Sequence, residues 1–236
     1  MQIINTYKCN FSCEHCLFTC SPNKRGYLDN YTLIRFMEEA FPYADSINYC
    51  GGEIFLNPNW EWQLEYLSRC TDNLRIVTNG SYFYSRSGKI TRLLKRFISV
   101  LESIQYTTQV TVLISDDEFH DFFYRKKQLY PLDYVIERFS KNVPENVHIE
   151  KDDRRKSQFI APLGRALRNS LYTSEGSAIC ESFDPNLSPD GTVYACCNMR
   201  LPIGNVLDGL CTWEENFKKI EKPKNCLSCK LLKPAY

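Results

Sequence analysis

The chain has 236 residues, of which 43% are hydrophobic and 24% are charged, so it can bury a substantial core. Its 29 basic and 28 acidic residues leave a net charge of +1, and no nucleic-acid partner is expected from that balance. There is no run of 18 apolar residues and no secretory signal, so we expect a cytoplasmic protein without a membrane span.

Apolar residues at strand spacing alternate with apolar residues at helix spacing along the first 150 residues. The predicted strands are Met1–Tyr7, Ser46–Cys50, Leu74–Thr78, Val110–Ser115 and Val147–Glu150. The hydrophobic stripes of the predicted helices contain Leu33, Trp60, Ile90 and Leu132, and the first helix has Asp29 as its N-cap. This alternation predicts an α/β fold, a partial (β/α) barrel of about five to six parallel strands. Phe159–Leu163 is the candidate sixth strand.

The sequence changes character near residue 176, where glycine, proline and cysteine become frequent and the predicted strands shorten. We therefore predict two domains, a partial barrel over residues 1–175 and a small cysteine-rich module over residues 176–236. Within the module, Pro189-Asp190-Gly191 predicts a tight turn between two strands. That hairpin would bring Cys180 and Cys196 together.

The 12 cysteines are the most informative feature of the composition. Disulfides are rare in a reducing compartment, so we interpret the cysteines as ligands of metals or clusters. Because they gather near the two ends of the chain, with only Cys50 and Cys70 between, the sequence predicts two metal centres. The N-terminal group is Cys9, Cys13, Cys16 and Cys20, and the C-terminal group is Cys180, Cys196, Cys197, Cys211, Cys226 and Cys229.

Four polar segments each follow a predicted strand directly. They are Cys9–Cys16, Gly51–Glu53, Thr78–Gly80 and Ser115–Asp121. Because the chemistry of such barrels is located at the carboxyl ends of the strands, the four segments are expected to converge on one site.

The N-terminal cysteines have the spacing C-x3-C-x2-C. Three thiolates can bind three irons of a cubic four-iron cluster and leave the fourth iron open to another ligand, whereas four thiolates are the usual complement. A zinc ion with His15 or Cys20 as its fourth ligand is the alternative on spacing alone.

Together with Gly51, Gly52 and Glu53, this spacing resembles the radical S-adenosylmethionine (radical SAM) superfamily. The resemblance implies that Cys9, Cys13 and Cys16 hold a [4Fe-4S] cluster whose open iron binds S-adenosyl-L-methionine. It also implies that Glu53 accepts a hydrogen bond from the methionyl amino group, and that polar residues at two further strand ends contact the same ligand. Those residues are Thr78, Asn79 and Ser115. Two departures are Ile54, where the family often has proline, and His15, where an aromatic residue is common.

The C-terminal cysteines have the pattern C-x10-G-x4-C followed by C-x2-C. This resembles a Twitch domain, the shortened form of the SPASM domain that follows many radical SAM cores. The resemblance implies a second [4Fe-4S] cluster with no open iron, and Cys197 or Cys211 remains an alternative to one of its ligands. A zinc knuckle is the other interpretation. The assigned ligands are Cys180, Cys196, Cys226 and Cys229.

The resemblance implies an enzyme that cleaves S-adenosylmethionine to a 5′-deoxyadenosyl radical, which abstracts hydrogen from a substrate. An oxidative modification of a peptide natural-product precursor, by dehydrogenation or bond formation, is the leading hypothesis. The alternatives are a dehydrogenase of a small alcohol or aminosugar and a non-catalytic metal-binding module. Expected partners are an external electron donor such as flavodoxin or ferredoxin and a separate peptide-recognition protein. Candidate catalytic residues at the barrel mouth are Asp116, His120 and Asp121.

Overall fold

The computed structural model describes most of the first 152 residues and parts of the C-terminal region. The described residues are 1–85, 87–115, 119–120, 123–124, 129, 131–152, 183–196, 199, 201–208 and 213–221. The candidate sixth strand, Phe159–Leu163, lies outside them. Among the described helices, none combines the length and the hydrophobicity needed to cross a membrane.

The strands of the described residues form a single sheet. In chain order they are β1 (Gln2–Ile4), β2 (Ser46–Cys50), β3 (Asn73–Thr78), β4 (Gln109–Ser115), β5 (Val147–Asp152), β6 (Asn186–Leu187), β7 (Thr192–Tyr194) and β8 (Pro202–Asn205). Their order across the sheet is β5-β4-β3-β2-β1-β6-β7-β8, and β1 to β5 are parallel neighbours. The α/β class and the parallel sheet are thereby confirmed, while the extent of the barrel stays a prediction.

Helices follow the strands as the alternating pattern predicts. They are α1 (Asn30–Ala40), α2 (Trp60–Leu67), α3 (Arg92–Ile104), α4 (Leu132–Ser140) and α5 (Trp213–Lys218). The predicted cap of α1 is correct, because the Asp29 side chain accepts a hydrogen bond from the Thr32 N–H at 2.8 Å. Thr91 caps α3 in the same way, accepting from the Leu94 N–H at 3.1 Å. Each cap satisfies a helix N–H that has no partner inside its helix.

The two faces of the parallel strands differ in burial. One face, with Ile47, Ile76 and Val112, is fully buried in the same core as Leu64 and Phe97 of the helices. The opposite face carries residues that remain partly or largely accessible, and three of them pair in register across neighbouring strands. These residues are Asn48, Arg75 and Thr111. Since side chains alternate along a strand, one face builds the core and the other is left to line a cavity.

The C-terminal hairpin continues the sheet at the edge of β1. Leu187 of β6 pairs with Ile3 in parallel, and β6 and β7 pair in antiparallel across the predicted turn. The indole of Trp213 in α5 is fully buried, with its ring 5.6 Å from that of Phe36 in α1. The sequence predicts this hairpin but not its attachment to β1. The domain boundary near residue 176 lies outside the described residues and stays a prediction.

Candidate active site

The cysteine loop, which we define as residues 5–28, leaves β1 and returns to it before α1 begins. The Leu28 N–H donates to the Asn5 carbonyl at 2.7 Å, and the Cys9 N–H donates to the Ser21 carbonyl at 3.1 Å. These bonds close the loop at its base and again at its first cysteine. The thiols are therefore held at the carboxyl end of β1.

The two glycines after β2 allow that strand to approach the cysteine loop. The Gly52 N–H donates to the Thr6 carbonyl at 2.7 Å. A Cβ atom on Gly52 would lie 2.0 Å from the Lys8 carbonyl oxygen, and one on Gly51, whose φ is +142°, would lie 2.5 Å from the Thr6 oxygen. The sequence predicts close approach of a ligand here, whereas the contact that requires glycine is with the protein's own backbone.

A cavity of about 360 Å³ opens at the carboxyl ends of β1 to β4. The structure brings nine of the predicted site residues to its walls, from all four of the polar segments that follow strands. They are Cys9, Cys13, Cys16, Gly51, Gly52, Thr78, Asn79, Ser115 and His120. Residues from distant parts of the sequence therefore share one cavity of a size suited to a small ligand.

Hydrogen-bond donors surround the sulfur atoms of the cysteine loop. Cys9 Sγ accepts from the Phe11 N–H at 3.4 Å and from Asn79 Nδ2 at 3.8 Å. Cys16 Sγ accepts from the Cys20 N–H at 3.3 Å. Such donors stabilise negative charge on sulfur, which is the state in which cysteine binds a metal.

Burial and, to a lesser extent, the negative charge of Glu53 raise the pKa of the Cys9 thiol to about 12. The thiol of the metal-free protein is therefore protonated at neutral pH, and a bound metal would displace that proton. Within the residues that the structure describes, no three histidine, cysteine or acidic side chains converge on one ion position. A cluster does not need that convergence because each thiolate binds a different iron. The positions of Cys9, Cys13 and Cys16 on the wall of one cavity fit such a cluster.

Glu53 is completely buried beside the cavity and is not among the residues that line it. Its Oε1 accepts from the Thr78 hydroxyl at 2.8 Å, and its Oε2 accepts from the Asn79 N–H at 2.9 Å. Burial raises the pKa of Glu53 to about 7, against the lowering effect of these hydrogen bonds. The carboxyl group thus joins the end of β2 to the end of β3, and its bond to the methionyl amino group stays a prediction.

A polar network fixes the end of β3 against the cysteine loop. Asn79 Nδ2 donates to Asn10 Oδ1 at 2.9 Å, and Asn10 Nδ2 donates to the Ser81 hydroxyl at 2.6 Å. The Tyr124 hydroxyl donates to the Asn79 carbonyl at 2.6 Å. Because one amide contacts both Asn10 and Cys9 Sγ, Asn79 positions the loop as well as facing the cavity.

His120 is the one predicted catalytic residue among those that the structure describes. Its Nε2 lies 3.8 Å from Cys13 Sγ, and its ring centroid lies 6.0 Å from that of Phe11. His120 therefore faces a predicted iron ligand. Asp116 and Asp121 lie outside the described residues.

The predicted auxiliary ligands fall mostly outside the described part of the chain. Cys196 is buried just after β7, and its carbonyl accepts from the Met199 N–H at 3.0 Å. The remaining candidates outside the described residues are Cys180, Cys197, Cys211, Cys226 and Cys229. The second cluster therefore stays a prediction.

The parallel strands contribute five further residues to the cavity wall, and the sequence did not predict them as site residues. They project from the accessible face of the parallel strands and are Gln2, Asn48, Arg75, Val77 and Leu113. The signal for these five residues was the alternation of buried and accessible positions along each strand. Each of them lies one residue away from a fully buried apolar position. That signal shows which face is not core, but it does not show that the face encloses a cavity.

No protein-family model matches the chain. Two curated relatives, both from Bacillus subtilis (strain 168), are similar in sequence. The antilisterial bacteriocin subtilosin biosynthesis protein AlbA is 27% identical over 126 residues, which are 52% of this chain and 26% of AlbA. YydG, provisionally named a peptide biosynthesis protein, is 21% identical over 225 residues, which are 81% of this chain and 66% of YydG. The chain thus matches only part of the length of each relative.

Two solved structures share the fold. BtrN in complex with AdoMet and 2-DOIA has a TM-score of 0.52 at 19% identity, covering 92% of this chain and 82% of BtrN. The protein anSMEcpe with bound AdoMet and Cp18Cys peptide has a TM-score of 0.54 at 14% identity. The match covers 97% of this chain and 85% of the anSMEcpe chain. The fold is thus one seen with bound AdoMet.

Proposed function

We propose that this chain is a radical SAM enzyme that oxidatively modifies a peptide. The observation that carries the proposal is the meeting of the three loop cysteines with Gly51, Gly52 and Asn79 around one cavity at the carboxyl edge of a parallel sheet. In folds of this kind that edge is where reactive groups gather.

In this proposal, Cys9, Cys13 and Cys16 hold a four-iron cluster and leave one iron for S-adenosylmethionine. The bound cluster would supply the electron that cleaves S-adenosylmethionine to methionine and the 5′-deoxyadenosyl radical that takes hydrogen from substrate. Gly51, Gly52 and Ser115 lie on the cavity wall. The glycine backbone, apart from the Gly52 N–H that is bonded to Thr6, and the Ser115 side chain would offer polar contacts to the ligand. Protein groups thus supply binding, orientation and electrostatics, and the cofactor supplies the difficult chemistry.

The part of the cavity that is lined by the strands is suited to holding the reacting part of a substrate. Val77 and Leu113 give it an apolar wall, and Gln2, Asn48 and Arg75 place hydrogen-bond donors along the same surface. The Arg75 guanidinium also pairs with the Glu150 carboxylate at 3.7 Å. The apolar wall would exclude water from a reactive carbon, and the polar groups would orient the substrate.

Peptide modification is favoured by the relatives. AlbA is a bacteriocin biosynthesis protein, and the neighbour anSMEcpe was solved with a bound peptide. The second candidate is dehydrogenation of a small alcohol or aminosugar, because the neighbour BtrN was solved with the compound 2-DOIA. Either reaction requires an external electron donor such as flavodoxin or ferredoxin.

A second [4Fe-4S] cluster is part of the proposal, with Cys180, Cys196, Cys226 and Cys229 as its ligands. A two-electron oxidation requires the substrate radical to lose one more electron, and a fully ligated cluster is suited to receive it. Cys196 is buried two residues after the end of β7, which is consistent with a ligand held next to the sheet.

Anaerobic iron and sulfide analysis, combined with detection of 5′-deoxyadenosine, tests the proposal. Counting cysteine ligands, the wild-type protein should hold about eight irons and should cleave S-adenosylmethionine under reducing conditions. The Cys9→Ala/Cys13→Ala/Cys16→Ala variant should keep roughly half the iron and form no 5′-deoxyadenosine. Stoichiometric zinc without iron after anaerobic reconstitution would instead support a non-catalytic metal-binding module.

A further inference from the structure

We propose that His120 donates a hydrogen bond to the iron-bound thiolate of Cys13 and thereby raises the reduction potential of the N-terminal cluster. This inference rests on the proposed function and deepens it. It makes His120 a positioning residue that acts through a cluster ligand, in place of the catalytic role at the barrel mouth that the sequence predicts.

The geometry places the imidazole directly against the sulfur. His120 Nε2 and Cys13 Sγ are 3.8 Å apart, which is within the range of a hydrogen bond to sulfur, and both residues line the cavity. The imidazole ring packs beside two neighbours in the cysteine loop. Its centroid lies 6.0 Å from that of Phe11 and 5.7 Å from that of His15.

The chemistry of an iron-bound thiolate fixes the direction of the bond. A metal-bound cysteine has lost its proton and can only accept a hydrogen bond. The proton of this contact must therefore be on His120 Nε2. Reduction of a cluster adds negative charge that is shared with its sulfur ligands, so an N–H directed at one of them stabilises the reduced form more than the oxidised form. The potential is raised as a result.

The thiolates differ in how their donors can be altered. Cys9 and Cys16 each accept from a backbone N–H, of Phe11 and Cys20 respectively, and these donors persist when a side chain is replaced. Cys9 also accepts from the Asn79 side chain, but that amide holds the loop through Asn10 as well. The contact to Cys13 is made by the side chain of His120. It is therefore a hydrogen bond that a single substitution can remove without altering an iron ligand.

The test is a redox titration followed by electron paramagnetic resonance on the anaerobically reconstituted full chain. The N-terminal cluster is identified by the signal that changes when S-adenosylmethionine is added, because only that cluster has an open iron. His120→Phe and His120→Leu, which cannot donate, should each shift its potential to a more negative value. His120→Gln, whose amide can donate a hydrogen bond, should have a potential close to that of the wild-type protein.

The matched control is His148→Phe, since His148 is exposed on β5 and does not line the cavity. It should leave the potential unchanged. Equal potentials in the wild-type protein and both apolar His120 variants, with iron content unchanged, would overturn the inference and leave the proposed function standing. A wild-type protein without iron or without an S-adenosylmethionine-sensitive signal would overturn both.

Discussion

The carboxyl group of Glu53 lies wholly inside the protein, where two neighbouring strands end. Its two oxygens accept from Thr78 and Asn79, so it holds β3 in place beside the cavity. A carboxylate that is removed from water is penalised in its charged form. The amino group of a bound S-adenosylmethionine would relieve that penalty, which gives a physical reason for a buried acid at this position.

We predict that Glu53 makes the cluster-free protein less stable as pH rises from 4.5 to 7. Its pKa is raised by burial from 4.5 to about 7. Between these values the unfolded chain releases the proton and the folded protein keeps it, so the free energy of unfolding falls. The full loss is reached above pH 7 and is at most about 3 kcal/mol, since one pKa unit corresponds to about 1.4 kcal/mol.

Denaturant unfolding of the wild-type and Glu53→Gln proteins at several pH values measures this contribution. The free energy of unfolding of the glutamine variant should not show this fall between pH 4.5 and 7. The stability of the variant relative to the wild type should therefore rise across that range. Glu102→Gln, at an exposed position on α3, serves as the control with no such difference. Parallel pH profiles for the wild type and Glu53→Gln would contradict the prediction.

Gly52 supports a second prediction at the residue scale. A Cβ atom there would meet the Lys8 carbonyl at 2.0 Å, so Gly52→Ala should displace the cysteine loop. We expect roughly half of the bound iron to be lost, because only one of the two proposed clusters depends on this loop. Iron content measured after identical reconstitution tests the expectation.

Gly26→Ala is the matched control for that experiment. Gly26 belongs to the cysteine loop itself and has a positive φ of +87°, but a Cβ atom there has nothing within 4 Å. Its substitution should cost only the strain of a left-handed backbone, roughly 1–2 kcal/mol, and the iron should be retained. Equal iron loss in both variants would show that general destabilisation, and not displacement of the loop, is the cause.

At the scale of elements, the C-terminal hairpin and α5 are packed onto the parallel sheet and α1. A Cβ atom on Gly204 would lie 2.8 Å from Trp213 Cβ, so glycine lets β8 pack closely against the start of α5. Leu187 pairs with Ile3, and the Trp213 ring lies 5.6 Å from that of Phe36. These last two contacts cross the predicted boundary between the two domains. The described parts of both domains should therefore unfold together.

Trp213→Ala tests this coupling. Removal of a fully buried tryptophan typically costs about 3–5 kcal/mol, and we expect one unfolding transition, shifted as a whole, in denaturant titrations of the reconstituted protein. Trp62→Ala is the control, because Trp62 is 39% exposed and its loss should cost much less. Two separate transitions, with only one moved by Trp213→Ala, would contradict a coupled sheet.

The local elements were predictable from the sequence because their signals are local. Ser46–Cys50 has the bounds that its apolar pattern predicts, and Asp29 caps α1. The pairing of Leu187 with Ile3 was not predictable, since no local pattern encodes a partner so distant along the chain. The burial of Glu53 was missed for a related reason: a carboxylate can be buried only when distant groups supply its hydrogen bonds, and here they come from β3.

At the scale of the whole molecule, the proposed reaction has to account for every electron. Removal of a hydrogen atom leaves a carbon radical on the substrate, and a product oxidised by two electrons requires that radical to lose one electron more. A cluster with four cysteine ligands has no open iron for S-adenosylmethionine, so it is suited to carry electrons. In this proposal the chain needs its C-terminal cysteines for product and not for radical generation.

We predict that Cys226→Ala/Cys229→Ala still forms 5′-deoxyadenosine and no longer forms the oxidised product. Cys70→Ala is the control, because this half-buried cysteine donates a hydrogen bond to the Tyr66 carbonyl and lies outside the cavity. The Cys70→Ala variant should still form both 5′-deoxyadenosine and the oxidised product. Mass spectrometry of both products from one anaerobic reaction, with iron content verified, makes the comparison.

Full product yield without the second cluster would make the C-terminal module purely structural. A redox-neutral product, such as an epimer, would remove the need for an electron acceptor and overturn the oxidation itself.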